Sequence, residues 1–225
     1  MSWAFWFDAS ACSGCKACQV ACKDKHGLPL GVRWRRVYEV TGGGWERRGD
    51  AWLSSVFAYN VSMACNHCER PICMEVCPTR AITRRDDGLV LIDADRCMGC
   101  RYCEWACPYG APQYDAAAGV MTKCTFCADE LDAGNPPACV AACPLRVLDF
   151  GTVEALEAKY GPGAVPAPLP DPSLTDPGLV VTAHPASASS GRGSGGGAPA
   201  SSEEADTAAP ARDGAPRVAN REEVA

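Results

Sequence analysis

The sequence predicts an α+β fold of short strands and short helices, and three observations predict it. Among 225 residues, 22 are glycine and 18 are proline, which breaks up long regular elements. All 16 cysteines lie between Cys12 and Cys143, in four groups of four. A short extended segment precedes each group, so the elements are spaced by cysteine loops and not by a continuous apolar period.

The elements follow in chain order. Trp3–Phe7 is extended and leads to Cys12, Cys15, Cys18 and Cys22. Val32–Val40, a Gly42-Gly43-Gly44 turn and Trp45–Met63 suggest a β-hairpin insertion. Within it Trp34, Tyr38 and Val40 alternate with arginines as on a half-buried sheet face. Phe57, Tyr59, Val61 and Met63 share one face by period two and lead to Cys65, Cys68, Cys73 and Cys77. Pro78, Ala81 and Ile82, a turn at Asp86-Asp87-Gly88 and the strand Leu89–Ile92 lead to Cys97, Cys100, Cys103 and Cys107. Val120–Lys123 precedes Cys124, Cys127, Cys139 and Cys143, after which Val147–Phe150 is extended. From Thr152 a short helix is predicted, with Val153, Leu156 and Tyr160 on one face and Gly161-Pro162 as its stop. Residues 186–225, rich in Ser, Gly, Ala and Pro, are expected to be disordered.

Three chemistries compete for the cysteines: disulfides, zinc and iron–sulfur clusters. The N-terminal MSWAFWFDAS lacks a basic export region, and three thiols within seven residues cannot all pair locally without strain. Structural zinc usually takes two separated pairs, and only Cys124/Cys127 with Cys139/Cys143 has that form. The first and third groups read C-x2-C-x2-C-x3-C, the run of bacterial ferredoxins, whose fourth cysteine ligates the other cluster. Iron–sulfur ligation is therefore the expected role of all sixteen.

Residues 65–107 then form an inner ferredoxin-like module. Residues 1–27 and 108–160 form an outer, split module into which the inner one is inserted, with Trp3–Phe7 pairing near Val147–Phe150. Residues 28–64 are the hairpin insertion, 161–185 an extended segment and 186–225 the tail. The expected ligand sets are Cys12, Cys15, Cys18 and Cys143; Cys22, Cys124, Cys127 and Cys139; Cys65, Cys68, Cys73 and Cys107; and Cys77, Cys97, Cys100 and Cys103. Spacing alone leaves the pairing of groups open, since groups three and four are also close. The proline-turn-strand pattern after Cys77 favours joining two with three.

A formal net charge of −6 and the lack of a basic stripe give no reason to expect nucleic-acid binding. No stretch approaches the ~20 apolar residues of a membrane helix. There is no dinucleotide or P-loop fingerprint and no Ser/His/Asp set, so no catalytic residue is assigned. His67 lies between Cys65 and Cys68 and reads as a loop residue beside a complete cysteine set; His26 and His184 show no partner pattern. Lys16, Lys23, Arg70, Arg80, Arg96, Arg101, Lys123 and Arg146 lie near the cysteines and read as surface charges, with Arg101 the best placed to tune a cluster.

The run from Cys97-Met98-Gly99-Cys100-Arg101-Tyr102-Cys103 through Ala106-Cys107-Pro108-Tyr109-Gly110-Ala111-Pro112-Gln113-Tyr114, with Cys65-Asn66-His67-Cys68 and Cys143-Pro144-Leu145-Arg146, resembles the iron–sulfur subunits of the dimethyl sulfoxide reductase family of molybdopterin oxidoreductases. The likeness spans roughly residues 4–184. Lys23 departs from it, following Cys22 where the other groups have proline. Cys100 stands where nitrate-reductase-type subunits carry tryptophan and a three-iron cluster, which favours four [4Fe–4S] clusters here.

The resemblance implies a non-catalytic electron-transfer subunit, with a molybdopterin-containing catalytic subunit and a quinol-oxidising membrane anchor as partners. Electrons would pass from the cluster at Cys97/Cys100/Cys103 through those at Cys65/Cys68/Cys73 and Cys124/Cys127/Cys139 to that at Cys12/Cys15/Cys18. It also implies a peripheral place on the outer face of the cytoplasmic membrane, by export with the catalytic subunit. Related thiosulfate, polysulfide or tetrathionate reductases, a formate dehydrogenase, and a free-standing polyferredoxin are the alternatives. A zinc-dependent interaction module is a further one.

Overall fold

A computed structural model describes residues 2–166, 168–188 and 217–219. Strand β1 (Trp3–Asp8) lies at the centre of a three-stranded sheet. On one side it pairs antiparallel with β10 (Leu148–Thr152), Phe5 opposite Phe150 and Phe7 opposite Leu148, the pairing expected for Trp3–Phe7. On the other it pairs parallel with β11 (Leu179–Thr182), inside the segment expected to be merely extended. Because side chains alternate, Phe5 and Phe7 face the main core while Ala4 and Trp6 face helix α6 (Val153–Tyr160). A strand covered on both faces reads as an unbroken apolar run, as WAFWF does. Thr152 caps α6 by accepting a hydrogen bond from the Ala155 backbone N–H at 3.2 Å, and Tyr160 stacks flat on Trp6.

The insertion is a two-stranded antiparallel ribbon of β2 (Arg36–Gly42) and β5 (Phe57–Met63). Tyr59, Val61 and Met63 are buried on one face as the period-two pattern expects, with Phe57 partly buried. The triple glycine is not the end of the ribbon. It leads into a second hairpin, β3 (Trp45–Arg48) and β4 (Ala51–Ser54), whose residues are all exposed. Gly43 is required there: its φ is +77°, and a Cβ would lie 1.9 Å from the Ser55 carbonyl oxygen. The free edge of β2 is covered by a short antiparallel strand β12 (Arg217–Ala219), Val218 opposite Val40. That strand falls within the segment expected to be disordered. Residues 185–188 form a 3-10 turn, and the rest of that segment lies outside the described residues.

Two small hairpins complete the strands: β6 (Ile82–Arg84) with β7 (Val90–Ile92), and β8 (Gln113–Asp115) with β9 (Val120–Thr122). Short helices lie among the cysteine loops: α1 (Ala17–Lys25), α2 (Ile72–Glu75), α3 (Tyr102–Ala106), α4 (Ala128–Asp132) and α5 (Ala138–Ala141). Helix α1 packs on α5, and α2 on α3, so the first group meets the fourth and the second meets the third. The principal core interleaves cysteines such as Cys18, Cys124 and Cys139 with Phe5, Phe126 and Val61.

Candidate functional site

Groups one and three share a backbone device. In each, the residue before the second cysteine is a glycine with positive φ, Gly14 at +71° and Gly99 at +70°. The residue after it, Lys16 or Arg101, is also left-handed and starts a helix. Two left-handed residues curl the chain so that three thiols turn to one centre. The curl is tightly seated, since a Cβ on Gly99 would lie 2.4 Å from the Gly119 carbonyl oxygen. The third and fourth cysteines of each group are four residues apart on a helical turn, or just beyond its end, which lets one chain segment serve two neighbouring sites.

The sixteen thiols are all free and gather in fours. One cavity is lined by Cys65, Cys68, Cys73 and Cys107, a second by Cys12, Cys15, Cys18 and Cys143, and a third by Cys77, Cys97, Cys100 and Cys103. With their open mouths they hold about 380, 320 and 300 Å3 of free space. The remaining four act on one another: Cys22 with Cys139 and Cys127, and Cys124 with Cys22 and Cys139. Neighbouring sets lie near enough to act on one another, and so form a row. Cys18 senses Cys139, Cys124 senses Cys65, and α2 on α3 joins the last two. The second set in that row is wholly buried, whereas Cys15 is exposed at one end and Cys97, Cys100 and Cys77 are half-buried at the other.

Burial dominates the electrostatics of most of these thiols. Burial pushes the Cys22, Cys68 and Cys103 thiols up to about 12, with repulsion from neighbouring thiols adding to it. Cys12, Cys18, Cys73, Cys107, Cys124 and Cys127 are raised in the same way. Cys77 is the opposite: burial raises it, but the Thr79 side chain and the backbone N–H groups of Ile82, Ala81 and Thr79 hold it below the usual thiol range. Backbone N–H groups of Ala111, Met121 and Phe126 donate to the sulfurs of Cys107, Cys97 and Cys124 at 3.3–3.5 Å.

The cations differ from the sequence reading. Arg101 is exposed, pairs with Glu104 at 2.8 Å and lies over the Tyr114 ring. Lys123, read as a surface charge, is 3 % exposed, and its Nζ donates to the Cys65 sulfur at 3.4 Å. Lys23, Arg96 and Arg146 instead donate to backbone carbonyls and brace loops. Arg35 was not singled out by sequence, because it alternates with apolar residues as a solvent-facing arginine would; it is 2 % exposed. His26, which shows no partner pattern in the sequence, lies 3.3 Å from the Cys127 sulfur and against Trp34. His67 accepts the Val90 N–H on Nδ1 at 3.0 Å, so that nitrogen is already engaged. Burial first, and the Lys123 charge second, keep its imidazole neutral.

The residues fit iron–sulfur clusters better than a single ion. The cavities are thiol-lined and otherwise mainly apolar, and sulfurs receive N–H donors at lengths suited to anionic sulfur. Buried cations sit beside them without carboxylate partners among the described residues.

Comparison with known proteins agrees. Residues 56–153 match the 4Fe–4S dicluster domain family. The chain is 50% identical over 177 residues to the B subunit of the anaerobic dimethyl sulfoxide reductase of Escherichia coli (strain K12), covering 79% of this chain and 86% of that one. It is 51% identical over 178 residues to the B subunit of the Haemophilus influenzae reductase of the same name, covering 79% and 87%. With the thiosulfate reductase electron transfer subunit of Salmonella typhi it shares 42% over 153 residues, covering 68% and 77%. Thiols gathered in fours, on a chain half identical to these B subunits over 79% of its length, carry one conclusion: it belongs to the family of the iron–sulfur subunits of anaerobic dimethyl sulfoxide reductases.

Proposed function

We propose that this chain is the electron-transfer subunit of an anaerobic dimethyl sulfoxide reductase, holding four [4Fe–4S] clusters in the sets Cys12/Cys15/Cys18/Cys143, Cys22/Cys124/Cys127/Cys139, Cys65/Cys68/Cys73/Cys107 and Cys77/Cys97/Cys100/Cys103. The observation that carries the reading is the gathering of all sixteen thiols into four adjoining fours. Such clusters supply one-electron carriers whose potentials follow charge, hydrogen bonds and exposure. The protein's own part is to hold them in file, to keep water from the inner ones and to present the end sets at its surface.

Its partners are a molybdopterin-containing catalytic subunit and a quinol-oxidising membrane anchor. Met98, Tyr102 and Trp105, 64, 52 and 67 % exposed, surround the third group and support contact with a partner there, the anchor. Cys15, exposed at the other end of the row, supports contact with the catalytic subunit. No helix among the described residues is long and apolar enough to cross a membrane. The complex lies on the cytoplasmic membrane through its anchor, on the outer face. The 42% likeness to a thiosulfate reductase subunit favours that enzyme as the second reading, because the electron-transfer chain does not choose the terminal substrate.

Anaerobic purification of the native complex tests this. Roughly sixteen iron atoms with matching sulfide are expected, about four per cluster, with quinol-linked turnover of dimethyl sulfoxide. Stoichiometric zinc with little iron overturns the cluster reading, and turnover of thiosulfate alone overturns the substrate.

A further inference from the structure

Arg35 is a fully buried guanidinium placed where two sets of thiols meet. Only Nη1 has protein acceptors, Ser62 Oγ at 3.1 Å and the Ser62 carbonyl oxygen at 3.5 Å. Nε and Nη2 are buried with no partner, and no carboxylate pairs with the side chain among the described residues. The guanidinium carbon lies over the Phe5 ring, 4.5 Å from its centroid. Burial disfavours its charge, but a guanidinium stays protonated in a protein, and the Cys139, Cys18, Cys124 and Cys22 sulfurs act on it to strengthen that hold. A buried charge without a counter-charge is strongly destabilising, so Arg35 belongs to a molecule in which anionic sulfur surrounds it.

The contacts also fix a direction. Arginine has donors only, so Ser62 Oγ accepts from Nη1 and keeps its own proton to offer to the Cys18 sulfur 3.5 Å away, as a sulfur that is a cluster ligand, having no proton, requires. On the other side the Arg35 backbone N–H donates to the Cys22 thiol. One residue thus reaches Cys18 of one set through Ser62 and Cys22 of the next through its own backbone.

We propose that Arg35 is a positioning residue that sets the reduction potentials of the two clusters held by Cys12/Cys15/Cys18/Cys143 and by Cys22/Cys124/Cys127/Cys139. Each reduction adds one electron to a cluster and one unit of negative charge beside the guanidinium, so the cation stabilises the reduced form and raises the potential. Lys123 performs the same service at Cys65, which makes that cluster an internal control for a change at Arg35.

The inference rests on the cluster reading above, and the test separates the two. Arg35→Met, Arg35→Lys and Ser62→Ala are made in the intact complex, iron and sulfide are measured, and the clusters are titrated potentiometrically under electron paramagnetic resonance. Fewer than four clusters in the unaltered complex overturns the reading beneath, and this inference with it. With four present, Arg35→Met is expected to lower two midpoint potentials by about 59 mV or more, a tenfold change in each one-electron equilibrium, and leave two unmoved. Arg35→Lys is expected to restore most of that shift, and Ser62→Ala to lower one of the same two. Unmoved potentials, a uniform fall of all four, or a lysine no better than methionine overturns the proposal. If Arg35→Met fails to assemble, an unmoved potential in Ser62→Ala overturns it.

Discussion

Lys123 Nζ reaches the Cys65 sulfur across 3.4 Å, and its other donors close on the carbonyl oxygens of Val90 and Cys124. It ties the end of β9 to a thiol nearly sixty residues earlier and to the strand between them. Lys123→Met is expected to leave two buried carbonyls unpaired, at about 1–3 kcal/mol each, and to lower the potential of the Cys65 cluster alone. Denaturant unfolding reads the first effect and a redox titration the second.

Gly99 tests the curl of the third group. A methyl there must enter a left-handed residue and collide with the Gly119 carbonyl oxygen. Gly99→Ala is expected to cost the complex the Cys77/Cys97/Cys100/Cys103 cluster, read as a drop in iron of about a quarter. Gly134→Ala is the control: its φ is +80°, but nothing lies within 4 Å of the added carbon. It is expected to lose about 1 kcal/mol of stability and no iron.

In the proposed ligand sets Cys100 holds one corner of its cube. Cys100→Ser is expected to release that iron and leave a three-iron cluster on Cys97, Cys103 and Cys77, with the other three clusters unchanged. Quinol-driven turnover should stop while an artificial donor to the catalytic subunit still works. Equal loss of both activities in a normal complex would place the third group away from the quinol end.

Asp149 joins β10 to α6 through Lys159 Nζ at 2.8 Å and Tyr160 Oη at 2.6 Å. Burial raises its carboxyl, but the Lys159 and Tyr160 hydrogen bonds outweigh that and hold it below the usual 3.8. A depressed folded-state value means stability that is complete above the unfolded value and is lost as pH falls through the folded one. Asp149→Asn is therefore expected to be less stable than the parent at pH 7 by about 1 kcal/mol. The gap should narrow as pH falls below the ordinary 3.8 and close once the carboxyl is protonated in the folded protein, as followed by thermal unfolding across pH.

Much of this was legible in the sequence because it is local. Cysteine spacing carries the loops, and Thr152 with Gly161-Pro162 carries helix α6. Period two carries the buried face of β5, and the pairing of Trp3–Phe7 with the segment after Cys143 follows from how the groups must meet. What escaped depends on distant neighbours. A parallel partner for β1 at Leu179–Thr182 leaves no mark on either strand. Arg35 and Lys123 look like surface charges because sequence patterns score a cation by its polarity, while here thiols from several groups offset its burial. His26 meets Cys127 across a separation of 101 residues, which no spacing rule spans.

The position of β1 between β10 and β11 has a consequence for the order of events during synthesis. Trp3–Asp8 leaves the ribosome well before its partners, which begin at Leu148 and Leu179. At 5–20 residues per second, the strand waits on the order of ten seconds for the first of them. Cys12, Cys15 and Cys18 wait with it, because the fourth thiol lining their cavity is Cys143. Residues 65–107 face no such delay, since every cysteine lining their two cavities lies within that stretch. Iron delivered to a nascent chain would therefore be retained from the middle outward, with the N-terminal site the last to close.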